Sequence, residues 1–279
     1  MAKQVVTYSP DNARIYLYLQ KHLPAFLRLL DPSPKRLQQI EDKIELRYEQ
    51  TAKALRAKGV FEAETTLIDL FWKVDERDIH SIQFLNFIER ACRGLIDHVP
   101  ARLLPKLANT LFQMIVNFDE AKSRYGSYIG EISVLDKLLG DLTFELADIE
   151  YAMPNGKCAD YAFTGKKGMI LTEIENIDLN VEKIETGANL DSIIEYRTEK
   201  KLKDKYGNLP LDWPHEIYLV QVVWGDILKL KHLKESFSRR TSYKNIVPKL
   251  MTVAQFFDQK AEIPRYLFMT AEEFLGRSE

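Results

Sequence analysis

The run CADYAFTGKKGMILTEIENID, Cys158 to Asp178, decides how the rest of the chain is read. It divides into two strand-like runs, Cys158–Thr164 and Met169–Leu179, joined by Gly165-Lys-Lys-Gly168. A polar dipeptide between glycines, flanked by β-rich runs, is a hairpin signal. Side chains alternate along a strand, so Met169, Leu171, Glu173, Glu175, Ile177 and Leu179 share one face, and two carboxylates fall in register with an apolar stripe. Burying ionised carboxylates without partners is expensive, and a bound metal ion is one common solution. Asp160, at the head of the preceding strand, can reach the same spot. The bland alternative is a solvated Glu-x-Glu face. Met169 and Leu171 before the pair, and Ile177 and Leu179 after it, make a fully exposed face less natural.

Upstream, a helix is expected from Gly130 to Leu139, ending at Gly140, then a β-like run Thr143–Met153 and a turn at Pro154-Asn155-Gly156-Lys157. Downstream come a helix Asn189–Tyr206 closed by Gly207, a loop, the apolar strand Glu216–Trp224, and a helix Asp226–Phe237. The tail, Arg239–Glu279, reads as a loop, a helix near Val253–Lys260, a short strand near Tyr266–Met269 and a last helical turn. Strands alternating with helices give a mixed sheet with helices on both faces, so the fold class is α/β, or α+β over the whole chain.

The first 120 residues have another character. Residues 1–8 read as a short strand or arm, and Ser9-Pro10 opens a helical pattern that runs to Leu30 and breaks at Asp31-Pro32-Ser33-Pro34. Helices follow at Pro34–Lys58 with Gly59 at its end, Glu62–Val74, Glu76–His98 and Ala101–Phe118. This is an all-helical bundle. The polar stretch Asp119–Gly130 is read as a linker, which gives a helical domain over 1–120 and an α/β domain over 121–279.

Bulk properties set limits. The chain has 279 residues, a formal net charge of -2 and a pI near 6.3, so no global basic footprint marks it as nucleic-acid-binding, although a local basic face would suffice. Two cysteines, Cys92 and Cys158, lie far apart, which argues against zinc and against a disulfide framework. No window is long and apolar enough to span a membrane and the N-terminus carries no apolar signal core, so a cytoplasmic location is expected. No Ser-His-Asp set, Walker loop or dinucleotide loop is visible, and His215 and His232 stand isolated.

From about Tyr128 to Phe237 the arrangement resembles the PD-(D/E)XK nuclease superfamily, the restriction-endonuclease-like fold. Its members run helix, three-stranded meander, helix, strand, with an Asp opening the second strand and a Glu/Asp-x-Lys on the third. Asp160 and Glu173-Ile174-Glu175 match these places, and Glu131 matches a Glu that many members carry on the first helix. Glu175 departs from the pattern, because it stands where the motif has Lys. A few restriction enzymes have Glu there, which leaves the general base open between Glu175 and a migrated lysine, Lys200 or Lys201, on the next helix.

The resemblance implies a Mg²⁺- or Mn²⁺-dependent endonuclease, a hydrolase of phosphodiester bonds, acting on DNA and with RNA also open. It implies Asp160, Glu173 and the backbone carbonyl of Ile174 as metal ligands and Glu131 as a ligand through water. Glu175 would orient the nucleophilic water or bind a second metal, and Lys201 would stabilise phosphate charge. Each residue also has a plain reading: Asp160 as a turn cap, Glu131 as a helix-start acid, and the lysines as a wet helix face. Arg197, Lys200, Arg239, Arg240 and Lys244 bias the C-terminal half positive and suit phosphate contacts. Two rivals stand beside this. One is a catalytically inactive nuclease-like domain kept as a nucleic-acid or protein binding module. The other is an unrelated α/β protein that works through its helical half, which would also be the face for homodimerisation.

Overall fold

The computed structural model describes residues 13–60, 63–119, 122–140, 142–166, 168–178, 187–210, 212–231, 234–235, 238 and 250–277. The chain is mixed α/β, with a helical N-terminal region ahead of a six-stranded mixed sheet. The helices α1 (Ala13–His22), α2 (Pro24–Leu30), α3 (Pro34–Lys58), α4 (Leu67–Asp75), α5 (Ile79–His98), α6 (Leu104–Val116, after a 3₁₀ turn at Ala101–Leu103) and α7 (Tyr125–Gly140) come first. Next are β1 (Leu146–Ala152), β2 (Cys158–Thr164), β3 (Met169–Asp178), α8 (Gly187–Tyr206), β4 (Glu216–Asp226), α9 (Ile227–Lys231), β5 (Leu250–Asp258), β6 (Ile263–Thr270) and α10 (Ala271–Arg277).

Local chemistry sets many of these boundaries. Ser33 accepts the Arg36 N–H at 3.3 Å and Pro34 opens α3; Gly59, at φ 68°, closes it by donating to Leu55 O at 2.9 Å. Thr66 and Asp69 form a reciprocal capping box at α4. Where the sequence promised one helix up to Leu30, the structure has two. Pro24 has no N–H to continue α1, and it starts α2 afresh.

The strands run in sheet order β1-β2-β3-β4-β5-β6. β1, β2 and β3 form an antiparallel meander, β3 pairs parallel with β4 and β4 with β5, and β6 returns antiparallel. The helix expected near Val253–Lys260 is instead strand β5. Its residues Leu250 to Ala254 are buried between β4 and β6, and central strands covered on both faces are apolar without alternation. The expected linker also shortens, because α7 begins at Tyr125 and takes in most of the segment ending at Gly130. The helix expected over Asp226–Phe237 is α9, Ile227–Lys231, and most of the segment 232–249 lies outside the described residues. The opening arm and the Ser9-Pro10 cap lie outside them too.

Helices α5 and α7 cover one face of the sheet. The main core is continuous from Ile15 and Phe26, through Phe87 and Leu135, to Phe163, Ile174, Val222 and Val253. The opposite face, under α8, differs. Its apolar surface is split into one cluster around Leu171, Ala162 and Met153 and another around Ile177, Ile194 and Val223. Glu173 and Glu175 lie on β3 between Leu171 and Ile177, in the gap between the two clusters.

Candidate active site

Three elements bring the acids together. β2 carries Asp160, β3 carries Glu173 and Glu175, and α7 carries Glu131. α7 lies close on β3 because Gly130 has no side chain: a Cβ there would sit 1.9 Å from Asn176 Oδ1. The Asn176 amide donates to Ser127 O at 3.0 Å and its oxygen accepts Trp224 Nε1 at 2.8 Å, so the contact is fixed from both sides. Glu131 is the next residue along.

Glu173 is 1% exposed. Its carboxylate is held by two ammonium groups from α8. Lys201 Nζ lies 3.0 Å from Oε1, and Lys205 Nζ lies 2.9 Å from Oε1 and 3.0 Å from Oε2. Lys201 also donates to Ile174 O at 3.0 Å, and Lys205 to Cys158 O at 2.8 Å. Asp160 Oδ2 accepts the Ile174 N–H at 2.6 Å. Glu131 accepts no hydrogen bond from the described residues.

The electrostatics reflect this crowding. Burial, and then the Glu173 charge, push the Asp160 carboxyl from 3.8 up to about 7. Burial, then Asp160 and Glu173, push Glu131 well above the carboxylate range, with Lys201 opposing. Burial pulls the Lys201 ammonium down, but Glu173 and Asp160 outweigh it and its pKa is raised. Two buried phenols flank the cluster, Tyr161 and Tyr206, and neither hydroxyl has a partner among the described residues. Burial raises both pKa values, with help from Glu131 and Asp160 at Tyr161 and from Glu173 and Asp160 at Tyr206, so both stay neutral.

Among the residues expected from sequence, Asp160, Glu173, Ile174, Glu131 and Lys201 are brought together. Glu175 sits on the same face, but it is engaged elsewhere: Gln221 Nε2 donates to it at 3.4 Å and Arg197 lies 4.0 Å away. Arg197 also donates to Asn176 O at 3.3 Å, so it braces β3 as much as it faces solvent. Lys200 is exposed and, among the described residues, makes no hydrogen bond or ion pair with the acids. Arg239, Arg240 and Lys244 lie outside the described residues.

Three participants were missed. Lys205 follows Lys201 by four residues, the spacing that shares a helix face, and that signal was readable. Gln221 is a buried polar residue inside the apolar run EIYLVQVVW, directly opposite Glu175 in the β3–β4 ladder. Glu150 adds a fourth acid whose charge reaches Glu131 and Tyr161. It stands at φ 50° on β1, a left-handed conformation that costs a non-glycine residue free energy. No sequence pattern announces that.

The donor set suits a hard divalent cation: it is oxygen only, with Glu131, Asp160 and Glu173 set against two ammonium groups. It is not a ready-made cage. The acids are within electrostatic reach of one another, yet among the described residues no three His, Cys, Asp or Glu side chains are gathered to hold an ion. Both oxygens of Glu173 are taken by lysine. The donor types therefore fit a cation, while the carboxylate oxygens of Glu173 are occupied by lysine.

Among the described residues, no helix is long and apolar enough to cross a membrane. Compared with known proteins, the chain matches no family model, no curated protein and no solved structure.

Proposed function

We propose that the chain is a metal-dependent nuclease of restriction-endonuclease-like architecture that hydrolyses phosphodiester bonds, with DNA as substrate. The observation that carries this is the crowding of Asp160, Glu173 and Glu131 beside two inward-turned lysines, at the junction of a helix, a three-stranded meander and a following helix. Buried like charges at this density are costly for a fold that has no use for them.

In this reading Asp160, Glu173 and the carbonyl of Ile174 hold a Mg²⁺ or Mn²⁺ ion, with Glu131 behind them. The ion would polarise a phosphoryl oxygen and lower the pKa of an attacking water. Lys201 supplies the cation that the motif carries on the strand: it reaches the same carboxylate from α8 and is kept protonated, ready to stabilise charge on the phosphate. Glu175, its carboxylate fixed by Gln221, is the candidate to hold the water proton. Arg197 and Lys200 on α8 give the incoming backbone its phosphate contacts. Both cysteines are free, Cys92 buried and Cys158 exposed, which agrees with a reducing cytoplasm.

The test is cleavage of plasmid and single-stranded DNA, and of RNA, across Mg²⁺ and Mn²⁺. Activity lost in Asp160→Asn, Glu173→Gln and Lys201→Met, and kept in Lys203→Met, supports the reading. A wild-type chain that cleaves none of these substrates ends it.

One observation favours a second reading, a catalytically silent domain that binds nucleic acid or protein. Glu173 is neutralised by lysine on both oxygens, and the motif lysine is Glu175. Binding without cleavage, unaffected by chelators, would select it. Sedimentation of the full chain tests homodimerisation through the helical region in either case.

A further inference from the structure

On the metal-dependent reading above, the cluster needs room for a cation. The geometry points to Lys205 as the group that keeps that room, a placeholder ammonium that a divalent ion must displace from Glu173.

The contacts of the two lysines differ. Lys201 touches one oxygen of Glu173 and the carbonyl of Ile174. Lys205 spans both oxygens, at 2.9 and 3.0 Å, and adds the carbonyl of Cys158 at 2.8 Å. An ammonium has three donors, and those of Lys205 are all directed into the site. Oε2 of Glu173 is thus closed by Lys205 alone. The other acids are not covered in this way: Asp160 accepts one backbone N–H, and Glu131 accepts nothing from the described residues. The one carboxylate that a cation would share with Asp160 is the one that carries the lysines.

A plain internal ion pair would give the same distances, but its surroundings would differ. The Glu173 side chain is 2% exposed while that of Lys205 is 28% exposed. The Cys158 carbonyl belongs to the exposed first residue of β2. Lys205 therefore reaches in from the rim, on a flexible four-carbon stem that can withdraw to water without disturbing either apolar cluster. Lys200 and Lys203, from the same basic run, are exposed. Leaving Glu173 without a partner would be strongly unfavourable, so withdrawal is coupled to the arrival of another cation: it is an exchange, not an opening. The displaced ammonium is left beside the site, where an incoming phosphate oxygen needs a donor.

An occupant present nine-tenths of the time weakens apparent affinity about tenfold, and removing it restores that factor. The experiment is calorimetric titration of Mn²⁺ into the full chain, with melting curves taken before and after. Lys205→Met is expected to bind Mn²⁺ about tenfold more tightly, to melt lower without metal and to recover with it. Lys205→Arg, whose guanidinium grips a carboxylate with two parallel bonds, is expected to bind Mn²⁺ more weakly and carries the test if the Met variant does not fold. Lys203→Met should match the wild type. Unchanged or weaker affinity in Lys205→Met with no opposite change in Lys205→Arg overturns the proposal, and so does a set of proteins that bind no Mn²⁺ at all. The expected affinity pattern without cleavage of any nucleic acid keeps the placeholder and ends the nuclease reading. Cleavage with metal affinity indifferent to residue 205 does the reverse.

Discussion

Two buried acids in this molecule have opposite surroundings. Glu89, on α5, is 6% exposed and lies at the start of α2, where it accepts the N–H of Ala25 at 3.0 and 2.9 Å and that of Phe26 at 3.4 Å, with Arg93 at 3.2 Å. It completes a helix start whose proline lacks a side-chain cap. Asp160 has one backbone donor, with Glu173 and Glu131 beside it and Lys205 and Lys201 only partly offsetting them. The helical region surrounds buried charge with donors, as it does again where Arg47, 2% exposed, meets Asp69 at 2.8 Å. At the sheet, Lys201 and Lys205 hold Glu173, but Asp160 and Glu131 lie buried beside like charge. Full satisfaction marks structure, and tolerated repulsion marks a site.

The comparison breaks if the two kinds of acid respond alike. On the proposed nuclease reading, Asp160→Asn should lower cleavage by about 10³-fold or more while melting no lower than wild type, because it removes a repelling charge and keeps an oxygen for Ile174 N–H. A nuclease assay and a thermal melt on the same preparation check both halves. Arg47→Ala should do the converse, costing roughly 3–5 kcal/mol by leaving Asp69 with the Thr66 N–H but no cation, with turnover per folded molecule unchanged. Denaturant unfolding reads the first and active-site titration the second. Glu89→Ala should cost about 2–3 kcal/mol through the lost charged cap, again without touching chemistry.

Gly130→Ala sharpens the comparison, since it acts on both regions. A methyl there must push Asn176 or α7 aside, at about 1–3 kcal/mol, and it moves Glu131 away from β3. Stability and activity should fall together, and only for this variant. The smallest effect is a pH dependence. The folded-state pKa of Asp160 lies above its unfolded value, so the metal-free folded chain keeps a proton that the unfolded chain releases. Its contribution to stability is present below 3.8 and is lost as pH rises to about 7. On the proposed metal-dependent reading Mg²⁺ competes with that proton, so the melting shift on adding Mg²⁺ should be larger at pH 8 than at pH 5.5.

How far the sequence could be read depended on what each signal required. The β2–β3 hairpin was legible to the residue, because glycines bracket the turn and β-rich runs bracket the glycines. Glu173 followed from strand alternation, and Asp160 from its place at the head of the preceding strand. Lys201 came from the resemblance, which left it open between Lys200 and Lys201; the structure puts Lys201 against Glu173. β5 was not legible: LMTVAQFFD has no alternation, and only burial between two neighbouring strands makes it extended. The start of α7 was hidden by Gly126 and Gly130, and the second glycine has a reason that only the folded state supplies, the side chain of Asn176. Glu150 needed a backbone angle.

The contact between Glu89 and α2 also bears on timing. Donor and acceptor lie 64 residues apart. At roughly 5–20 residues per second, the ribosome makes α2 about 3–13 seconds before the acid that completes its first turn. Through that interval the first turn of α2 is unfinished, and its apolar stripe stays uncovered until α5 and α6, against which it packs, have both cleared the exit tunnel.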